Sequence, residues 1–219
     1  MEIEQNKEET PIYNTWIKSI PDILLVIGYV LLTITSFEHL WKSSVNPLTS
    51  IRNVLFIMGF GCIGYGHYLI TTTEVGLHNT DGYYQQMNLK NSDIFDIIRF
   101  GNVSVVFYAI ISIIQSYMNI EPKSDIVIVQ NKLSTKHYLF GLPIDAYGTL
   151  MSHGLLMYAI FNDTMMNVSL PFYILSIIML YNAYHTSYDI SGVIQKMSVI
   201  GSSSLAIGYA GILINKIIK

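Results

Sequence analysis

An all-α, polytopic integral membrane bundle of six transmembrane helices is the fold class this sequence predicts, and three observations predict it. Six separate runs of mostly apolar residues fill the chain almost end to end. Each is close to the roughly twenty residues that cross ~30 Å of hydrocarbon. The 219 residues are 51% hydrophobic and 12% charged, too little charge to coat a water-soluble globule of this size. A backbone in lipid must satisfy its own polar groups, and runs this long neither match a barrel strand nor alternate in polarity, so each is expected to be a helix.

A polar tail over residues 1–21 carries Glu2, Glu4, Glu8 and Glu9. A secretory signal would carry basic residues there, so the first span, Asp22–Trp41, is expected to direct insertion. That span ends on Glu38 and His39 beside Trp41 and Lys42, an interfacial composition. The second span, Ile51–Thr71, contains Gly59-Phe60-Gly61-Cys62-Ile63-Gly64-Tyr65-Gly66. Gly59, Gly61 and Gly64 fit a dinucleotide fingerprint, but no strand precedes them. A potassium-filter reading fails because Cys62 and His67 stand where a threonine and an aspartate are required. Close helix packing through small residues is the expectation. In the third span, Ile94–Met118, Asp96 and Arg99 share one helical face and can pair. In the fourth, Tyr138–Phe161, Asp145 follows Gly141 and Pro143, too deep for a short side chain to reach water along its own helix. The fifth is Val168–His185. The sixth, Gly192–Ile214, has Ser202, Ser203, Ser204, Gly208 and Gly211, again suited to close packing. Residues 22–215 thus form one bundle, followed by a short tail over 216–219.

The connection Thr72–Asp93 holds Gly76, Asn79, Asp81 and Gly82, which predict a turn or short hairpin on the membrane surface. The connection Asn119–His137 is polar apart from Ile126–Val129. Basic residues are almost evenly divided. Lys42, Arg52, Lys123, Lys132, Lys136 and Lys196 lie on one side, and Lys7, Lys18, Lys90, Lys216 and Lys219 on the side of the termini. The loop Asn162–Asn167 has no basic residue and carries two N-glycosylation sequons, at Asn162 and Asn167, which favours an outside or lumenal position for it and for the termini.

The net charge of −3 offers no footprint for nucleic acid. Cys62, the one cysteine, allows neither an intrachain disulfide nor a cysteine metal cluster. No histidine box, nucleophile motif or H-x-x-x-H spacing supports an enzyme. Ionisable groups inside spans are costly and mark functional sites: Glu38, His39, His67, Asp96, Arg99, Asp145, His153 and His185. With alternating helix directions, Asp96, Arg99, His67 and His153 fall toward the terminus side, and the other four toward the opposite side. A proton or ion pathway would use Asp96, Arg99, Asp145 and His153 if they face one wet cavity. The pairs His39/His185 and His67/His153 have the layered arrangement of axial ligands for two b haems. Six-helix cytochromes of the b561 type resemble the chain in span number and length, although its third span has no histidine. The structural reading of the same side chains is interfacial or hydrogen-bonded histidine.

Arg99-Phe100-Gly101-Asn102 resembles the third-helix R-Y-x-D of microbial (type 1) rhodopsins, with Asn102 at the counterion aspartate. Ile144-Asp145-Ala146-Tyr147, then Met151 and Gly154-Leu155-Leu156, is similar to the fourth helix of that family. Met179-Leu180-Tyr181 is similar to the fifth, and Ile63–Leu69 to the second. The resemblance implies a rhodopsin-like bundle. The seventh helix with the retinal lysine has no counterpart, Trp16 and Trp41 are outside the core, and Lys196 lies near the surface, so retinal is not expected. The expected function is a membrane scaffold or interaction protein, or a proton or ion pathway, with no resident cofactor. A di-haem electron carrier is the alternative. The expected partners are the bilayer and a homo-oligomer formed through small-residue helix faces.

Overall fold

Proline and glycine set several helix limits. A computed structural model of the chain describes residues 12–42, 47–72, 93–118, 138–139, 142–161, 169–187 and 192–217. Their helices are α1 (Ile12–Lys42), α2 (Pro47–Thr72), α3 (Asp93–Tyr117), α4 (Ile144–Phe161), α5 (Ser169–Ser187) and α6 (Val193–Ile217). Pro47 opens α2 and Pro171 lies in the first turn of α5, where the missing N–H costs no helical bond.

Two boundaries differ from expectation. The tail expected over 1–21 is helical from Ile12 onward. Ile12, Trp16, Ile17 and Ile20 recur at helical spacing, and Pro21 is the first breaker in that stretch. The span expected as helix over Tyr138–Phe161 becomes helical only at Ile144. Before it, β1 (Tyr138–Leu139) pairs antiparallel with β2 (Leu142–Pro143), Tyr138 opposite Pro143. Proline disfavours helical geometry in the residue before it, so Leu142 cannot extend α4 backward. The surface hairpin expected within Thr72–Asp93, the sequon loop and the whole of Asn119–His137 lie outside the described residues.

Each helix packs on the next in sequence, and α6 packs on α1, closing a ring. Neighbours run antiparallel, as close approaches at glycine show. A Cβ on Gly59 would lie 2.5 Å from Val105 and 3.1 Å from the Gly101 carbonyl oxygen, while Gly66 meets Ile98. A Cβ on Gly208 would lie 3.0 Å from the Pro21 carbonyl, and one on Gly211 2.8 Å from the Pro21 ring. Gly64 meets Tyr29 in the same way. The glycines expected to support close packing therefore do so within the chain.

All six helices contribute to one core, which includes Leu25, Tyr29, Phe60, Val105, Leu156, Phe172 and Tyr209. The outer faces are apolar as well. Ile20, Ile23, Ile27, Val30, Ile34 and Phe37 form an exposed stripe on α1, and Leu170, Tyr173, Ile177, Leu180 and Tyr184 form one on α5. Val193, Ile200, Ile207 and Ile214 do so on α6. Such a surface suits hydrocarbon and not water. Four helices, α1, α2, α3 and α6, are long and apolar enough to cross a membrane, and α5 carries a shorter apolar stretch, Leu170–Tyr184.

Gly59→Val should force α2 from α3 and cost about 1–3 kcal/mol by overpacking. Gly154 has no atom within 4 Å of a built Cβ, so Gly154→Ala should be neutral or slightly stabilising. Thermal unfolding of both variants in detergent checks the contrast.

Candidate functional site

Two layers of polar side chains lie inside the ring, separated by aromatic rings. On α1, Asp22 and Tyr29 are two turns apart and share a face. Opposite them, α2 presents His67, whose Nδ1 lies 3.6 Å from Asp22 Oδ1. His67 is fully buried and the Asp22 side chain is 13% exposed, so the pair joins the interior to one end of the bundle. The contact is an ion pair when the imidazole is protonated. His67 also stacks on Tyr29, with ring centroids 5.9 Å apart and planes 11° apart. The hydroxyls of Tyr29 and Tyr209 hydrogen-bond to each other across α1 and α6.

The same layer continues on α3 and α4. Ile98, Asn102 and Val105 recur at helical spacing on the buried face of α3. Asn102 Nδ2 donates to the Ile98 carbonyl at 2.8 Å, and Asn102 Oδ1 lies 2.7 Å from His153 Nδ1. His153 and Phe60 ring centroids are 6.5 Å apart, and those of Phe60 and Tyr29 are 5.1 Å apart. Aromatic contacts therefore lead from His153 to His67.

The second layer joins α2 to α3 near the opposite end. Arg52 donates to Gln115 Oε1 at 3.0 Å and to Asn53 Oδ1, and Gln115 Nε2 donates to Thr49 Oγ1 at 3.0 Å. Asn53 and His67 are separated by about 21 Å along α2 at ~1.5 Å per residue. Phe56 fills part of that interval, stacked on Phe60 at 4.1 Å and edge-on to Tyr108 at 4.9 Å.

Compared with known proteins, the chain matches no family model, no curated protein and no solved structure.

Of the residues expected to form a pathway, Asp96 and Arg99 meet at 3.4 Å. The Asp96 side chain is 76% exposed and that of Arg99 33%, so Asp96 faces outward. The side chains of Asp145, Glu38, His39 and His185 lie outside the described residues. His67 and His153 are both buried, each with Nδ1 directed at a side-chain oxygen. Among the described residues, no group of three or more His, Cys, Asp or Glu side chains is placed to hold a metal ion.

Sequence reasoning missed Asp22, Tyr29, Tyr209, Gln115 and the pairing role of Arg52. One signal was available: Asp22 begins the first span and His67 lies near the end of the next, which places both at one depth in an antiparallel pair. The Tyr29–Tyr209 contact had no comparable signal.

Gln115→Leu removes the shared partner of Arg52 and Thr49 and should destabilise by about 1–3 kcal/mol. A double-mutant cycle with Thr49→Ala should give a coupling of about 0.5–3 kcal/mol, read from unfolding in detergent.

Proposed function

We propose that this chain is a six-span integral membrane protein of rhodopsin-like architecture whose terminus-side polar layer forms the entry half of a proton pathway across the membrane. Helices α4 and α5, at 18 and 19 residues, are ~27–29 Å long at ~1.5 Å per residue, close to the hydrocarbon thickness. They stand in the ring beside four longer apolar helices and turn Met151, Leu170, Tyr173, Ile177 and Leu180 outward. Both features support six spans. The sequons and basic residues favour termini outside.

The observation that carries the proton reading is the Asp22–His67 pair. A carboxylate with one accessible edge faces a fully buried imidazole, and these are the side-chain types that build proton relays inside membranes. Tyr29 and Tyr209 extend the layer across the ring. Asp96 and Arg99, at the same end of α3, add charge at its rim.

Two other readings have less support. A haem held between His67 and His153 would have to displace Tyr29 and Phe60, the buried rings that link them. A homo-oligomer built on the small-residue faces would compete with contacts those glycines already make within the chain.

Topology is tested in a Cys62→Ser background carrying either Gln5→Cys or Lys219→Cys. A membrane-impermeant maleimide should label both from outside intact cells. Labelling of the two positions from opposite sides overturns an even number of spans.

Function is tested by proton flux in reconstituted vesicles containing a pH-sensitive dye. Wild-type protein should conduct, and Asp22→Asn and His67→Gln should each fall to the level of protein-free vesicles. Wild-type flux no greater than that of protein-free vesicles overturns the proton reading and leaves a membrane interaction protein.

A further inference from the structure

The imidazole of His153 is buried between α4 and α3, and its two nitrogens have different surroundings. Its Nδ1 lies 2.7 Å from Asn102 Oδ1. The orientation of the Asn102 amide is set by its other end, because Nδ2 donates at 2.8 Å to the Ile98 carbonyl, a group that only accepts. Asn102 therefore offers His153 an acceptor, and Nδ1 must carry the hydrogen. In the neutral ring this leaves Nε2 bare. That nitrogen is buried and makes no hydrogen bond. Buried polar atoms are matched in the great majority of cases, so an unmatched one calls for a role.

Among the described residues, the neighbouring charged side chains have contacts of their own. Asp96 and Arg99 on α3 meet each other, and His67 on α2 faces Asp22. On α5, Tyr173 and Tyr184 are exposed and Tyr181 is half-buried. A carboxylate at position 102 would form a charged pair with a protonated His153. Asparagine keeps the contact neutral and still accepts from Nδ1.

We propose that Asn102 is a positioning residue that fixes His153 in its Nδ1–H form and thereby makes Nε2 the proton acceptor of the bundle centre. This deepens the proton reading given above and rests on it. The step is balanced: Nε2 takes a proton from hydronium, giving imidazolium and water, and returns it by the reverse reaction. The Nδ1–H bond to Asn102 persists in both states. The device works against solution chemistry, because neutral imidazole in water favours the Nε2–H form.

The test is solid-state nitrogen NMR of histidine-labelled full-length protein in vesicles, with the His153 signals assigned by difference against His153→Gln. Wild type should show protonated Nδ1 and bare Nε2. Asn102→Leu should reverse the ratio, giving predominantly Nε2–H, whereas Asn102→Asp should retain the Nδ1–H form. A wild-type spectrum with Nε2–H overturns the proposal without any variant, and an unchanged tautomer in folded Asn102→Leu overturns the role of Asn102. Because these signals do not depend on transport, absent proton flux beside the stated tautomers would overturn the transport reading while leaving the assignment of Asn102 in place.

Discussion

Hydrocarbon offers no hydrogen-bond partner, so polar groups inside this bundle have to be matched by the protein, and that requirement sets how its helices meet. Short hydroxyl side chains meet it locally. Thr33, Ser36, Ser104, Ser112 and Ser152 each donate to the carbonyl four residues earlier on their own helix. Such residues place no demand on a neighbouring helix. Asp22, His67, His153 and Gln115 instead find partners on another helix. Each such match fixes one antiparallel pair in depth: α1 with α2, α3 with α4, and α2 with α3.

Those matches need the helices close together, and glycine permits the approach. Gly59 and Gly101 bring the backbones of α2 and α3 together in the middle of the bundle, between the Gln115–Thr49 contact at one end and Gly66 against Ile98 at the other. On the other side of the ring, Gly208 and Gly211 accommodate Pro21 and so hold the start of the α1 span against α6. Any larger residue at Gly59 would separate α2 from α3 along the stretch that leads to Asn102. Packing and polar matching are therefore one constraint, since loosening the glycine contacts also lengthens the hydrogen bonds.

The six helices among the described residues, and most of their boundaries, were legible in the sequence because a long apolar run has few alternatives in a chain with so little charge. The fourth helix was misjudged at its start, where hydrophobicity continues through Tyr138 and Leu139 but Pro143 resets the backbone. The glycine run was read correctly as a packing feature, because its apolar surroundings left it no phosphate or ion to bind. The interior was less legible. Depth can be counted along a span, and in the bundle aromatic contacts through Tyr29 and Phe60 link His67 with His153. Which face of a helix turns inward depends on the neighbours, however, so Asp96, expected beside His153, faces outward instead. Tyr29 and Tyr209 are 180 residues apart and meet only because α6 closes on α1.

The separation of the two polar layers bears on what such a bundle can move. Phe56, Phe60 and Tyr108 form a stacked and edge-on group between Asn53 and His67. The ring faces of Phe56 and Phe60 offer a metal cation no oxygen in place of its hydration water. A proton makes a smaller demand, since it needs a sequence of groups that can hold it and no coordination sphere. Asp22 and His67 are such groups and pair near one end of the bundle, while His153 stands against Phe60 of the aromatic group. On the proton reading, the aromatic group is thus the step between the two polar layers, and the half of the bundle nearest the termini is where exchange begins.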